Sequence, residues 1–532
     1  MKSNRLSALA LSTILSLSIV SGCNFKNSNN VKAADENTQL EAYTTNLPFN
    51  MPKLSLPTFQ NKDFNITDYG AESGSITKNT DAFKKAITEC NKVGGGRVVV
   101  PAGTWLTGPI ELKSNVNLYL DSGALVIFSS NPEDYKKTDE KNSSSNSYKN
   151  LISGSNLSNI AITGDGVLNG NGAFWRPVKK EKVTDSIWKS FVSAGGVLDS
   201  AGTTVWPNKQ VVNVKRPNLL NLSNCKSVLL DGPSFENSPQ FNIDINSSEN
   251  LIVRNTKIFN EYWAQNTDGI DISACKNVLI YNDTVNTGDD GICMKSGSSS
   301  KSNNDEPTLE NVVIENCIVN HAHGGFVVGS NTDGGMKNIY VHNCNYIGTD
   351  SGLRFKSDIG NGGKVEDIYI DGINMKNIVN DAIVFDTNYE AKNTNNTSNK
   401  VPNFQNIHIS NVFCDGAQEA ANIKGLDAVP VKNLDLKNIT IKSTNGFSAE
   451  NTSNVNLDNV KITPSQGSIF TLKNSSGYNF NNVLCPTGTS TFISLEGSQT
   501  NNIKLTNTNI SNAKQPFALD KNVNSSAITI NK

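Results

Sequence analysis

The densest run of groups able to move protons is Asn266-Thr267-Asp268-Gly269-Ile270-Asp271, followed by Gly288-Asp289-Asp290-Gly291. Asp268 and Asp289 are 21 residues apart. In a chain that coils with a repeat near that length, strands one coil apart lie ~4.8 Å from each other, so the three carboxylates share one face. Carboxylates this close repel, which raises at least one pKa and lets that group act as an acid near neutral pH. Glycosidic hydrolysis needs such a pair: one carboxyl protonates the leaving oxygen, and another activates water or attacks. Either motif alone reads as an Asn/Asp/Gly turn. Their spacing is what makes them a site.

Two later motifs extend it, His321-Ala322-His323-Gly324-Gly325 and Gly352-Leu353-Arg354-Phe355-Lys356. Residues two apart on a strand share a face, so Arg354 and Lys356 project together. Two cations beside an acidic cluster suit a substrate that is itself an acid, since Arg grips a carboxylate bidentately. Read in isolation, the same pair neutralises nearby aspartates at the surface. His323 is placed to tune or orient the acid, whereas His342 and His408 read as turn residues. A His-x-His metal site is conceivable but lacks an obvious third ligand, and no cofactor is expected.

The elements that must hold these residues follow from the repeat. Asn, Asp or Ser followed by apolar-x-apolar recurs at Asn115, Asn159, Ser227, Asn250, Asn277, Asn311, Asn338, Asp367, Asn406, Asn433, Asn454, Asn479 and Asn502. The steps from Asn250 to Asp367 are 27, 34, 27 and 29 residues, and from Asn406 onward 27, 21, 25 and 23. Self-similarity at this period marks a solenoid. Each repeat holds two or three strand-length apolar runs between polar turns, with no second helical pattern. The Leu framework of leucine-rich repeats is missing. This predicts an all-β chain, a right-handed single-stranded parallel β-helix. Residues 136–150, 177–212 and 387–403 read as insertions, which on one face of a solenoid build binding walls.

One helix precedes the repeats. Ala82, Phe83, Ala86, Ile87 and Cys90 form an apolar face, Asn79 or Thr80 can cap its start, and Gly94-Gly95-Gly96 stops it. It is expected to close one end of the solenoid. Order is expected from Phe64-Asn65-Ile66-Thr67 onward, giving one catalytic domain over 61–532.

The chain has 532 residues, with 47 Lys+Arg against 49 Asp+Glu. That balance argues against a nucleic-acid partner, which calls for a basic excess. The only long apolar run, Leu6 to Val20, follows Lys2 and Arg5 and reads as an export signal over residues 1–22. Val20-Ser21-Gly22-Cys23 resembles a bacterial lipobox with Cys23 lipidated; the alternative is an ordinary cleaved signal. Residues 23–60, polar and holding Pro48, Pro52 and Pro57, read as the lipidated Cys and a flexible tether. The expected location is therefore outside the cell, with membrane contact only through the lipid. Eight further cysteines show no CxxC or zinc spacing; buried thiols are favoured over disulfides, which export would also permit.

The series NTD, GDD, HG and RFK, in this order and on successive repeats, resembles glycoside hydrolase family 28, the polygalacturonases. Asp68-Tyr69-Gly70-Ala71, Pro101-Ala102-Gly103-Thr104, Gly164-Asp165-Gly166 and Arg216-Pro217 extend the likeness through nearly all of the ordered chain. The resemblance implies a pectin-lyase-like β-helix that hydrolyses α-1,4-galacturonosyl bonds of pectin with inversion and without a metal. It makes Asp289 the general acid, gives Asp268 and Asp290 the water, and has His323 support the acid. Asn266, Arg354, Lys356 and Tyr389 would bind the sugar. The expected partner is thus a pectic polysaccharide or oligogalacturonide, and the protein a monomer.

Several positions depart from the family pattern. Ala322 replaces the usual Gly or Ser before the His. A second NTDG, Asn331-Thr332-Asp333-Gly334, follows the HG motif and reads as a structural turn. Ser238-Pro239-Gln240-Phe241 lacks the common Trp and His. Chain-end action is expected if segment 177–212 walls off the cleft. Rhamnogalacturonan or xylogalacturonan hydrolysis, a calcium-dependent pectate-lyase-type elimination and a non-enzymatic adhesive solenoid are the competing readings.

Overall fold

A computed structural model describes residues 38, 40–137, 148–297, 307–389 and 400–531. The signal segment, Cys23 and the central parts of insertions 136–150 and 387–403 lie outside the described residues. The rest winds into a parallel β-helix in which short strands of successive coils pair in register. One sheet of 14 strands runs from Ile110–Glu111 to Gln515–Leu519. This sheet carries the motifs identified above. Five of its strands, Glu419–Lys424, Asn445–Glu450, Ser468–Lys473, Thr491–Glu496 and Gln515–Leu519, lie beyond Tyr389.

Alternation along each strand sets which side chains stack inside. Leu220, Ile243, Ile270, Ile292, Phe326, Leu353 and Ile383 align on consecutive coils and are all buried. Phe355 and Phe385 stack with ring centroids 4.2 Å apart. Period-2 patterning turns one row inward and the next outward, so the outward row of this sheet is free for chemistry.

The recurring asparagines are turn residues with a shared conformation. Asn250, Asn277, Asn311 and Asn338 have φ between 57° and 60°, a left-handed region that asparagine tolerates better than most residues. Asn277, Asn311 and Asn338 each donate the side-chain amide to Oδ1 of the preceding one, at 3.1, 3.1 and 3.0 Å. At one coil the expected position is corrected: Gly477 occupies the left-handed turn, and Asn479 aligns with Asn456 within the strands. All eight cysteines from Cys90 to Cys485 are buried thiols. Those of Cys225 and Cys275 contact the carbonyls of Ser223 and Ser273 at 3.4 and 3.2 Å.

The helix Thr80–Lys92 buries the predicted face over the first coil. Asn79 is its N-cap, but the Asn79 side chain bonds Glu72 N and Leu106 O instead of the helix amides. A second helix, Asp185–Ser193, was not expected. It lies inside insertion 177–212 with the small antiparallel sheet Val178–Lys179, Thr204–Trp206, Val197–Leu198. At 9 residues its apolar spacing is too short to stand out in the sequence.

Residues 40–60 are not a flexible tether. Leu40 and Leu54 are 1% and 2% exposed. With Tyr43, Phe49, Leu56 and Phe59 they cover the outward row Ala161, Leu229, Ile252, Leu279 and Val313. Tyr43 stacks on Tyr281 at 4.2 Å, and Thr58 exchanges two hydrogen bonds with the Asn159 side chain. The physical reason is that this row of the parallel sheet is apolar on its outer side and must be covered. The covering residues follow no period, so sequence alone leaves them looking irregular.

Candidate active site

The predicted acids stand at the entry of adjacent strands of the 14-stranded sheet. Asp268 precedes Ile270–Ser273, Asp289 and Asp290 precede Ile292–Lys295, and His323 precedes Gly324–Val328. Ile270 pairs with Ile292, so Asp268 aligns with Asp290 rather than with Asp289. The hydrogen bond from Gly269 N to Asp290 O, 2.9 Å, fixes that alignment. Gly325 permits the next coil to close, because a Cβ there would lie 2.3 Å from the Tyr346 ring.

Asp290 is 2% exposed at its side chain and accepts from Arg354 Nη1 at 3.0 Å and Lys356 Nζ at 2.7 Å. Burial pushes its pKa up, but Lys356, Arg354 and Lys295 outweigh burial and hold it at about 2. Asp289 faces the other way. Its Oδ1 lies 3.0 Å from His323 Nδ1, and its Oδ2 accepts from Asn266 N at 3.2 Å. Asp268 is pushed well above the usual carboxylate range, first by burial and then by Asp271, while Lys295 opposes the rise. Asp268 Oδ2 is 3.2 Å from Lys295 Nζ, whereas its Oδ1 is buried without a partner among the described residues.

The cation pair is capped by an aromatic ring. Tyr389, 39% exposed, lies 5.2 Å from the Arg354 guanidinium and 4.9 Å from Lys356 Nζ. All seven of Asn266, Asp268, Asp289, Asp290, His323, Arg354 and Lys356 therefore meet on one outward face, with Tyr389 over one end. Asp333 does not join them. Its NTDG turn follows strand Gly324–Val328 at the opposite edge of the sheet, and Asp333 Oδ2 pairs with Lys400 at 2.9 Å.

Four contributors were missed. Lys295 hydrogen-bonds Asp271 as well as Asp268 and lies 4.8 Å over the Phe241 ring. Burial and its aspartate neighbours raise Asp271 to about 6, against the pull of Lys295. Arg216, 8% exposed, donates to Pro239 O, Gln265 O and Asn266 Oδ1 and so orients Asn266. Lys182, from insertion 177–212, reaches within 3.3 Å of His323 Nε2. A lysine donor at Nε2 matches the tautomer that carries its proton on Nδ1, facing Asp289. Counting one 22-residue register step from Ser273 to Lys295 would have found the first of these; nothing local marks Lys182.

One atom each of Asp268, Asp290 and Cys293, or of Asp289, Asp290 and His323, lies within 4.8 Å of the others, close enough to share a cation. Both Asp290 oxygens are already bonded to cationic side chains, and Lys295 stands beside Asp268. An added metal would meet positive charge on both sides. The arrangement suits an anionic substrate and proton transfer between carboxylates.

Comparison with known proteins agrees in fold and family. The model of the family described as glycosyl hydrolases family 28 matches residues 183–463. A second, described as rhamnogalacturonase A/epimerase, pectate lyase-like, matches residues 64–186. The chain is 28% identical over 395 residues to a probable polygalacturonase of Vitis vinifera, covering 71% of this chain and 73% of that one. It is 30% identical over 391 residues to an exo-poly-alpha-D-galacturonosidase of Dickeya chrysanthemi, covering 68% of this chain and 64% of the other, just under two thirds. Among solved structures, a hyperthermoactive exopolygalacturonase from Thermotoga maritima is 26% identical with a TM-score of 0.63, covering 81% of this chain and 96% of that one.

Proposed function

Because this chain belongs to glycosyl hydrolase family 28, we propose that it hydrolyses α-1,4-galacturonosyl bonds of polygalacturonate, with Asp289 as acid and Asp268 as base. The observation that carries this reading is the division of labour among three adjacent aspartates. Asp290 is held ionised by Arg354 and Lys356. Asp289 has the contact with His323 and Asn266, and Asp268 keeps one oxygen unpartnered.

In the reaction, Asp289 gives its proton to the glycosidic oxygen as the C1–O bond breaks. Water attacks C1 from the opposite face and inverts it. Asp290 and Asp268 hold that water. With its pKa held near 2, Asp290 is a weak base that orients the water. Asp268, with the higher proton affinity, accepts the proton that the water loses. Arg354 and Lys356 face the sugar carboxylate, and the Tyr389 ring borders that subsite. All of these groups come from one chain, which supports action as a monomer.

The test is a time course on polygalacturonic acid in EDTA, following reducing ends and absorbance near 235 nm together. Reducing ends without new absorbance fit the hydrolase; rising absorbance that EDTA abolishes would mean a lyase and end this reading.

Chain-end action is the finer proposal. Its support is insertion 177–212, which brings Lys182 against His323 and thus crowds one side of the acid. Release of only mono- or digalacturonate from the first minutes would fit; a ladder of products would refute it. We also place the protein outside the cell, attached through lipid on Cys23, on the strength of the Val20-Ser21-Gly22-Cys23 sequence. Loss of incorporated labelled palmitate in Cys23→Ser is the expected result, and label retained by that variant would exclude it.

A further inference from the structure

Insertion 177–212 builds a second concavity beside the acids. A cavity of ≈ 320 Å³ lies between the helix Asp185–Ser193, the strand Thr204–Trp206 and the loop that leads into Asn266. That is within the ~300–1,000 Å³ of pockets that hold small ligands. Phe174, Phe191, Trp206 and Trp263 line it. Phe174 is 50% exposed at its rim. Among the described residues, the charged groups in the lining are Arg176 and Glu261, and they bond each other at 2.6 Å. Arg176 donates further to Ser238 O and Asn237 Oδ1. The cavity thus has an aromatic lining with its one ion pair internally neutralised, the reverse of the cation-rich face around Asp290.

Both of its walls lead straight to the chemistry. Trp263 is three residues before Asn266, whose amide is 3.2 Å from Asp289 Oδ2. Val178 is four residues before Lys182, which is 3.3 Å from His323 Nε2. Three or four residues of chain reach at most about 14 Å, so a substrate a few sugars long can occupy both places.

We propose that this cavity is a subsite for an uncharged pyranosyl unit of the pectic substrate: a methyl-esterified galacturonate or a neutral branch sugar such as xylose. The proposal rests on the galacturonan reading above and adds to it a preference for decorated chains. Aromatic rings pack against the apolar C–H face of a pyranose and against an ester methyl. A free uronate would bring a charge into a pocket with no unpaired cation in its lining and lose hydration without compensation. The cleft then takes a charged unit at Arg354 and Lys356 and an uncharged one beyond Trp263.

Two variants test it without touching the catalytic groups. Ala194, an exposed residue just past the helix, lines the cavity, so Ala194→Phe fills it while removing no contact. Phe174→Ser instead removes a wall. Calorimetry would compare three probes: partially methyl-esterified tetragalacturonate, the same material after saponification, and a xylosylated oligogalacturonide. The full-length protein is expected to bind a decorated probe about tenfold more tightly than the saponified one, the scale of a small apolar group in a fitted pocket. Both variants should erase that preference and leave binding of the saponified probe within about twofold. Preference for the ester alone, or for xylose alone, identifies the source. Equal binding of all three probes, or a preference that survives both variants, overturns the proposal. Reducing-end release from polygalacturonate is read separately: failure there strikes the hydrolase reading, while the calorimetric preference still decides the cavity.

Discussion

Lys295 Nζ lies 3.2 Å from Asp268 Oδ2 and at the same time hydrogen-bonds Asp271, so one half-buried ammonium serves two aspartates on the neighbouring coil. Burial, Asp271, Asp289 and Asp290 all favour the protonated form of Asp268, and Lys295 is the cation that opposes them. Catalysis needs Asp268 ionised. Replacing the cation in Lys295→Met should therefore raise the pKa of Asp268 further and move the acidic limb of the kcat/KM profile to higher pH. Below that limb the rate should fall about 10²-fold, the usual scale for a general base. An unmoved limb would mean that Asp268 is not the base.

Asp289→Asn keeps the shape of the acid and removes its proton. Turnover of polygalacturonate should fall by about 10³-fold or more, with oligogalacturonate affinity and unfolding midpoint nearly unchanged. The control is Asp333→Asn, at the far edge of the sheet beside Lys400, which should leave the rate within about twofold. A comparable loss in Asp333→Asn would show that the second NTDG turn also carries the chemistry.

Tyr389 meets Arg354 and Lys356 through its ring face. Tyr389→Phe should therefore keep near-normal KM, while Tyr389→Ala should raise it about fivefold, matching a cation–π contact of about 1 kcal/mol. A loss of equal size in Tyr389→Phe would assign the role to the hydroxyl instead.

Asp283 is fully buried, accepting from Thr256 N and Oγ1 at 2.7 Å, and burial raises its pKa to about 7. Its folded-state value stands above the unfolded value near 3.9, so the unfolded chain loses this proton first as pH rises. The site thus costs stability progressively between about pH 4 and 7, and fully above that. Asp283→Asn removes the titration. Its unfolding midpoint relative to the parent should be higher at pH 8 than at pH 4, measured by denaturant melts. A difference independent of pH would contradict this account.

Residues 40–60 form an N-terminal strap over the outward row of the sheet, and its Leu54 is 2% exposed. Leu54→Ala should cost about 2–4 kcal/mol where the strap is docked. Limited proteolysis would then cut within residues 40–57 faster than in the parent. A free tether would show no change in either measure.

Much of this site is legible in the sequence because its groups sit at strand entries one coil apart. Asp268, Asp289, Asp290 and His323 can be placed by counting, and Arg354 and Lys356 by strand alternation. Lys295 escapes because it looks like an ordinary strand residue until pairing with Ser273 fixes its coil. Lys182 escapes for a different reason: 141 residues separate it from His323 and only the fold of the insertion joins them. The same limit hid the strap, whose contacts depend on an outward apolar row that strand alternation alone does not assign to any partner. Repeat counting also slipped at Asn479, where Gly477 fills the turn and asparagine is abundant on both sides.

Five coils of the 14-stranded sheet follow Tyr389, while the helix Thr80–Lys92 plugs the other end. In a stack where each coil leans only on its neighbours, melting advances from an end, one coil at a time. A melting front entering from the C-terminus must dissolve those five turns before it reaches Tyr389 or Lys356. They act as a sacrificial margin, so on heating the enzyme should shed strand content while it still turns over substrate.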